Sequence, residues 1–211
     1  RYNPLFILWF LRRNEILIIA SGHADPLDTC SLMFVHAIHM ARERLWIASP
    51  YFVPDEQVLS ALKLAVLRGV DVRILIPEKP DHRTVYLASF SYYENILPVG
   101  IKLYRYTDGF MHQKVFLVDS NCAAVGTANL DYRSFRLNFE LTLLNYDLSF
   151  IKKIEDMLND DFSRSRSVEL TDYTQRSFFF KLFFFPVSST AIEPDTVSFA
   201  SFRRTPPASL L

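Results

Sequence analysis

The stretch from residue 111 to residue 135, MHQKVFLVDSNCAAVGTANLDYRSF, constrains the fold and the chemistry more than any other part of the chain. Its first eight residues have the apolar and β-branched content of a β-strand, along which side chains alternate between two faces. His112 and Lys114 are two positions apart, so we expect the imidazole beside the ammonium on one face. The next three residues, Asp119-Ser120-Asn121, are typical of a turn that ends the strand.

A second short strand is predicted at residues 122–125, and the loop that opens at Gly126 carries Thr127 and Asn129. If the two strands pair as a hairpin, this loop lies near the start of the first strand. The chain then gathers an imidazole, a cation and an amide donor in one small volume. Such a cluster suits a phosphate group, whose oxygens need positive charge and hydrogen-bond donors.

The spacing His-x-Lys, four residues, Asp, six residues, Gly-Thr-x-Asn resembles the signature of the phospholipase D superfamily. The flanking segments WIASPYFVP (46–54), PDH (80–82) and NLDYRSF (129–135) resemble a narrower group, the C-terminal catalytic half of bacterial cardiolipin synthases. The resemblance covers about residues 20–176. It implies a single phospholipase D-like half-domain of the α/β class. Residues 1–19 form an unassigned N-terminal segment, and we expect a divergent, disordered tail at residues 177–211.

The order of strand-like and helix-like segments predicts the same class from the residues alone. Strands are predicted at residues 15–20, 44–52, 70–77, 101–106, 111–118, 122–125 and 139–146, and helices at 27–43, 57–68, from 81 or 82 to 97, and 148–162. Asp55 is the predicted N-cap of the second helix. Alternation of strands and helices predicts an α/β sandwich with a mixed β-sheet flanked by helices.

The composition restricts the kinds of molecule and cofactor that the chain is expected to bind. The formal net charge is zero, which argues against a nucleic-acid partner because such binders are usually basic. The two cysteines suggest neither a disulfide framework nor a metal site. His36 and His39 lie three apart on a predicted helix without a third ligand at a recognisable spacing, so no metal and no cofactor is expected. The first residue is Arg rather than Met, so we expect a piece of a longer chain.

The chain contains a single His-x-Lys, since the residues two positions after the other histidines are Asp25, Ile38, Ala41 and Thr84. A histidine cannot act as nucleophile and as leaving-group acid in the same step. The resemblance implies that two half-domains meet face to face, from one chain or from two, and form a phosphohistidine intermediate. His112 is expected to supply the acid and base, or to share both roles in a homodimer. The expected pairing surface consists of Val53, Pro54, Phe110 and residues 128–130.

Supporting roles follow for other motif residues. Lys114 and the Asn129 amide, with the hydroxyl of Thr127, are expected to hold the phosphoryl oxygens, and Gly126 supports them by opening the loop. The resemblance assigns Glu140 as the carboxylate that orients His112. Asp119 is expected to bond backbone amides at its turn.

Three hypotheses for the function remain open at this point. The first is a cardiolipin synthase-like phosphatidyltransferase that joins two phosphatidylglycerol molecules and releases glycerol at the bacterial inner membrane. It would lie peripherally on the cytoplasmic face or be tethered through a missing N-terminal segment. The second is a phospholipase D-like phosphodiesterase or nuclease that acts as a homodimer. The third is an inactive half-domain that only pairs with a partner.

Overall fold

The structure, a computed structural model, describes residues 16–79 and 81–174. Most of the unassigned segment 1–19 and all of the tail 177–211 lie outside the described residues. The predicted disorder of that tail is therefore not addressed by the structure.

A large mixed sheet forms the centre of the described part. Its strands are β1 (Ile16–Ser21), β2 (Arg44–Ala48), β4 (Asp71–Pro77), β5 (Lys102–Tyr106), β6 (Val115–Val118), β7 (Cys122–Gly126), β9 (Glu140–Asn145) and β10 (Ser165–Ser167). Two further short strands, β3 (Phe52–Val53) and β8 (Leu130–Asp131), pair with each other in parallel. The eight-stranded sheet has the order β1-β9-β7-β6-β2-β4-β5-β10. Strands β2, β4 and β5 run parallel, whereas the remaining neighbours are antiparallel, so the predicted mixed sheet is confirmed.

Helices cover both faces of this sheet. They are α1 (Thr29–Met40), α2 (Glu56–Leu67), α3 (Arg83–Ile96), α4 (Tyr132–Arg136), α5 (Leu148–Ser163) and α6 (Thr171–Thr174). The four long helices are those predicted, although α1 is shorter at both ends. The carboxylate of Asp55 accepts a hydrogen bond from the Val58 N–H at 2.9 Å, which confirms it as the N-cap of α2. The short elements β3, β8, β10, α4 and α6 were not predicted.

The strands divide their side chains between two hydrophobic cores. Along β6, Phe116 and Val118 point into a core shared with α1, α2 and α3. Val115 and Leu117 point into a second core shared with α5. Each such buried side chain contributes about 1.5–3 kcal/mol. This period of two fixes the register of the motif strand and therefore the placement of the loops at its ends.

Two predicted strand boundaries are wrong. The strand predicted at residues 44–52 stops at Ala48, because Pro50 lacks the N–H that a sheet ladder needs. The motif strand predicted from residue 111 begins only at Val115. His112 and Lys114 therefore lie in the segment that precedes β6, not within the strand. The Lys114 carbonyl still accepts a hydrogen bond from the Gly126 N–H at 3.1 Å, so the predicted hairpin brings the loop to this segment.

Candidate active site

The candidate site lies along one edge of the sheet. Strands β2 and β4 are parallel neighbours and end at this edge, and the antiparallel strand β6 begins there. The hairpin returns β7 to the same place, where its last residue, Gly126, pairs with Thr142 near the start of β9. Segments that follow β2 and β4 thus meet segments that precede β6 and β9.

His112 and Lys114 contact each other as the spacing predicts. The Lys114 ammonium lies 2.7 Å from Nδ1 of His112 and donates to the His112 carbonyl at 2.8 Å. An ammonium can only donate, so Nδ1 is assigned as the acceptor, and a neutral imidazole then carries its proton on Nε2. The His112 side chain is 44% exposed, which leaves the ring accessible to a substrate.

The other ring nitrogen of His112 faces a carboxylate. Nε2 lies 3.5 Å from Oδ2 of Asp81, in the segment between β4 and α3. The same Oδ2 accepts a hydrogen bond from the Tyr51 hydroxyl at 2.7 Å, and Oδ1 accepts one from the His82 backbone N–H at 2.8 Å. The Tyr51 ring stands perpendicular to the imidazole with ring centroids 6.3 Å apart. Phe110 stacks on another side of the imidazole at 5.7 Å.

Burial and hydrogen bonds shift the pKa values of the two ionisable side chains that contact His112. Burial lowers the pKa of Lys114, and the carboxylates of Glu140, Asp81 and Asp131 partly offset that shift. Burial opposes ionisation of Asp81, but the hydrogen bonds from Tyr51 and from the His82 backbone outweigh it and lower the pKa of Asp81. The site therefore holds an ionised carboxylate and a partly desolvated lysine on opposite sides of one imidazole.

Gly126 permits the close approach of β7 and β9. A Cβ atom at this position would lie 2.5 Å from the Leu141 carbonyl oxygen and 2.9 Å from Cα of Thr142. No ordinary Cβ contact is that short, so any larger residue would separate the strands. The motif glycine is explained by this close backbone approach, which also sets where Thr127 begins the loop.

Thr127 and Glu140 join the loop to the head of β9. The Thr127 hydroxyl donates to Oε2 of Glu140 and accepts from the Leu141 backbone N–H at 2.9 Å. Oε1 of Glu140 accepts from the Asn138 side chain at 3.1 Å. In the described part, the ring nitrogens of His112 contact Lys114 and Asp81 rather than Glu140. The orienting role of Glu140 therefore stays a prediction, and its contact with Thr127 is what the structure adds.

Asn129 is held by the start of α4. Its backbone N–H and its side-chain amide both donate to the Ser134 hydroxyl, at 3.1 and 3.2 Å. Its Oδ1 atom is buried and has no hydrogen-bond partner among the described residues. Leu130, the next residue, donates its N–H to the Ser49 hydroxyl at 2.9 Å, which fastens the loop to the end of β2. In the described structure, Asn129 makes no hydrogen bond to His112 or Lys114.

Asp131 caps α4 beside this loop. Its carboxylate accepts from the Ser134 backbone N–H at 2.7 Å. Burial raises the pKa of Asp131 despite this hydrogen bond. Asp131 and Ser134 together hold Asn129, so their effect on the site passes through the loop.

Asp119 makes the backbone bonds expected of it. At the far end of β6 its carboxylate accepts hydrogen bonds from the backbone N–H groups of Arg42, Glu43 and Arg44 at 2.9–3.1 Å. Its own backbone has a φ of 51°, a left-handed conformation that Asp tolerates better than most residues. The motif aspartate thus ties the hairpin turn to the start of β2.

No group of three or more His, Cys, Asp or Glu side chains among the described residues is arranged to hold a metal ion. Cys30 and Cys122 are buried free thiols, and burial raises the pKa of Cys30 to about 12 and that of Cys122 to about 11. Within residues 16–79 and 81–174, no helix is long and apolar enough to cross a bilayer.

The predicted pairing surface is mostly wrong. Val53, Ala128 and Leu130 are buried, because the β3–β8 pair folds them into the core. Pro54 is buried as well. Phe110 agrees with the prediction, with 68% of its side chain exposed, and Asn129 is half-buried. Other exposed apolar side chains near the start of β9 are Leu137, Phe139 and Leu141.

Comparison with known proteins identifies the fold and the family. Residues 34–162 match the family described as "Cardiolipin synthase, PLD-like domain". The chain belongs to this family. The matched residues of this phospholipase D-like domain contain the complete His112-to-Asn129 motif and the Asp81–Tyr51 pair.

Cardiolipin synthase A of Pseudomonas putida (strain GB-1) is 58% identical to the domain over 154 residues, which are 73% of this chain and 32% of the relative. The chain thus spans about a third of the length of the curated relatives it matches.

Two solved structures share the fold. The phospholipase D family member Nuc from Salmonella typhimurium has a TM-score of 0.62 at 22% identity, covering 74% of this chain and 99% of its own. Phosphatidylserine synthase from Haemophilus influenzae has a TM-score of 0.63 at 19% identity, covering 84% and 44%.

Tyr51, Asp81 and Ser49 were not predicted as site residues, although they lie in the segments that flank the motif. A signal was present, because Ser49 and Tyr51 follow β2 and Asp81 follows β4. The carboxyl ends of parallel neighbouring strands meet at one sheet edge, where α/β proteins bind their ligands.

Proposed function

We propose that this domain is a catalytic half of a cardiolipin synthase-like phosphatidyltransferase. The whole enzyme would transfer the phosphatidyl group of one phosphatidylglycerol to the glycerol hydroxyl of another and release glycerol. The observation that carries the proposal is the His112–Lys114 pair, with Lys114 Nζ 2.7 Å from Nδ1, in a domain 58% identical to cardiolipin synthase A. The partners would be phosphatidylglycerol, a membrane surface and a second half-domain with its own motif histidine.

The contacts of His112 support an acid–base role for this residue. Once a bound phosphate draws Lys114 away from Nδ1, that nitrogen can take up a proton, and the resulting imidazolium can give its Nε2 proton to a leaving oxygen. A phosphate that enters the site would draw the Lys114 ammonium toward its oxygens, since Lys114 is only partly buried. One N–H of the Asn129 amide is bound to Ser134, which leaves the second as a donor that would serve a phosphoryl oxygen.

The second motif histidine would attack phosphorus and hold the phosphatidyl group as a phosphohistidine. It would come from another segment of the same protein or from a second copy of this chain. The enzyme would work at the bacterial inner membrane, peripherally on the cytoplasmic face or through an N-terminal anchor.

Product analysis tests the proposal. The complete enzyme, in detergent micelles with phosphatidylglycerol, should yield cardiolipin and glycerol in equal amounts. His112→Asn should lower turnover by several orders of magnitude while circular dichroism remains that of the parent. His39→Asn is the matched control, because His39 lies on α1 and bonds the Val35 carbonyl. Turnover of His112→Asn within tenfold of the parent, or release of phosphatidic acid without cardiolipin, would contradict the proposal.

A further inference from the structure

The charges around His112 divide the site into two sides. Nδ1 faces the ammonium of Lys114 at 2.7 Å, and Nε2 faces the carboxylate of Asp81 at 3.5 Å. A phosphodiester is an anion, so Lys114 attracts it and Asp81 repels it. The Asp81 side is therefore unsuited to phosphoryl oxygens, yet it borders the ring nitrogen that exchanges protons.

We infer that Asp81, held by Tyr51, forms a binding position for the hydroxyl groups of a glycerol headgroup beside Nε2 of His112. This inference rests on the proposed function and names the part of the site that takes the alcohol rather than the phosphate. The same position would serve the glycerol that leaves and the glycerol that attacks, because the two are the same chemical group.

Distance and chemistry support an alcohol at this position. A separation of 3.5 Å is too long for a strong hydrogen bond between Nε2 and Oδ2, so the two atoms do not satisfy each other. A hydroxyl oxygen placed 2.6–3.2 Å from Nε2, the usual proton-transfer range, remains within reach of Oδ2. Ionised carboxylates are the strongest acceptors that a protein offers to a hydroxyl donor. The lowered pKa of Asp81 keeps it ionised at neutral pH.

Tyr51 gives the carboxylate a defined position. Its hydroxyl donates to Oδ2 at 2.7 Å, while the His82 backbone N–H holds Oδ1. The side chain of Asp81 is 27% exposed, so Oδ2 keeps acceptor capacity toward solvent. Glycerol carries neighbouring hydroxyls, so one can exchange its proton with Nε2 while the next donates to Asp81. Water has no second hydroxyl and gains less from this arrangement.

The proton balance of the transfer fits this placement. In the first half-reaction His112 acts as an imidazolium, with Lys114 turned from Nδ1 to the phosphate oxygens. It gives its Nε2 proton to the leaving glycerol oxygen as the P–O bond breaks and a P–N bond forms at the second motif histidine, and the ring becomes neutral. In the second, the incoming hydroxyl oxygen attacks phosphorus, the P–N bond breaks, and the hydroxyl proton passes to the vacated lone pair of Nε2. Both alcohols occupy the Asp81 side of His112 at these moments.

The ratio of transfer to hydrolysis tests the inference. The complete enzyme is given phosphatidylglycerol in detergent micelles, and cardiolipin and phosphatidic acid are quantified by mass spectrometry. Asp81→Asn should lower the cardiolipin-to-phosphatidic acid ratio about tenfold, the effect of one charge-assisted hydrogen bond. Tyr51→Phe should lower it in the same direction by a smaller factor, because the carboxylate remains but is no longer held. Asp156→Asn, on the exposed face of α5, should keep the parent ratio.

The possible results distinguish a failure of the inference from a failure of the proposed function. An unchanged ratio in both variants, with a parent-like circular dichroism spectrum, overturns the inference and leaves the proposed function standing. A parent enzyme that makes no cardiolipin overturns the proposed function, and the inference falls with it. If Asp81→Asn does not fold, Tyr51→Phe decides alone, since it removes one oxygen atom from a half-buried ring. In that case a parent-like ratio in Tyr51→Phe counts against the inference.

Discussion

Replacing Asp119 with Ala should lower the free energy of unfolding of the domain without altering its catalytic activity. The carboxylate of Asp119 is buried and accepts from three backbone N–H groups, those of Arg42, Glu43 and Arg44. A buried donor left without a partner costs about 1–3 kcal/mol. Because these bonds are only partly buried, water can recover some of that loss, and about 2–4 kcal/mol remains for the set.

The backbone adds to this cost. Asp119 has a φ of 51°, and Ala at such a position costs about 1 kcal/mol more than in a right-handed conformation. The free energy of unfolding should therefore fall by about 3–5 kcal/mol, a large share of the 5–15 kcal/mol typical of a domain. Asp119→Asn keeps one acceptor oxygen and tolerates the left-handed backbone, so it should lose about half as much.

Urea unfolding followed by circular dichroism measures this effect. With a slope near 2 kcal/mol per molar urea, the midpoint should move down by about 2 M for Asp119→Ala. Asp156→Ala is the matched control, because its exposed carboxylate pairs only with Lys152 on the surface and should change stability by less than about 1 kcal/mol. Turnover per folded molecule should not change, since Asp119 lies roughly 16 Å along the strand from Lys114. Lost turnover at parent-like stability would refute a structural role for Asp119.

Three further predictions follow from the site and the core. Glu140→Gln should keep the fold but lower turnover. The basic limb of the pH–rate profile should move to lower pH, since the charge of Glu140 raises the pKa of Lys114. An unmoved profile would contradict this prediction. Gly126→Ala should lower the free energy of unfolding measured in urea by about 1–3 kcal/mol, because its Cβ would lie 2.5 Å from a carbonyl oxygen of β9. Parent-like stability would show that β7 and β9 can separate freely. Cys30 and Cys122 should react with maleimide at pH 7 only as fast as the domain opens, since burial raises their pKa values to about 12 and about 11; labelling at the rate of a free thiol would contradict that.

Much of the fold could be predicted because local periodicity agrees with global packing. Strand β6 alternates its side chains between two cores, and α5 presents Ile151, Ile154 and Leu158 at helical spacing to one of them. The cap at Asp55 and the turn at Asp119 are likewise encoded in a few adjacent residues. The contact between His112 and Lys114 followed from spacing of the same local kind.

The features that the sequence did not predict depend on contacts between segments that are far apart in the chain. The β3–β8 pair has two residues in each strand, too few for any period to appear, yet it buries Val53 and Leu130 and so removes most of the expected pairing surface. The approach of Asp81 to His112 requires that β4 lie next to β2, which lies next to β6. That order belongs to the whole sheet, and no single stretch of sequence specifies it.

In the proposed mechanism, phosphatidyl transfer needs two motif imidazoles, of which this chain provides His112. The most direct test measures specific activity on phosphatidylglycerol micelles across a wide dilution series, with light scattering at each concentration to report the assembly. Only species that contain two motif histidines should be active, so the specific activity of this chain should fall as the assembly dissociates. The two-imidazole mechanism would be contradicted if a monomer of this chain, with its single His-x-Lys, kept a constant specific activity throughout the series.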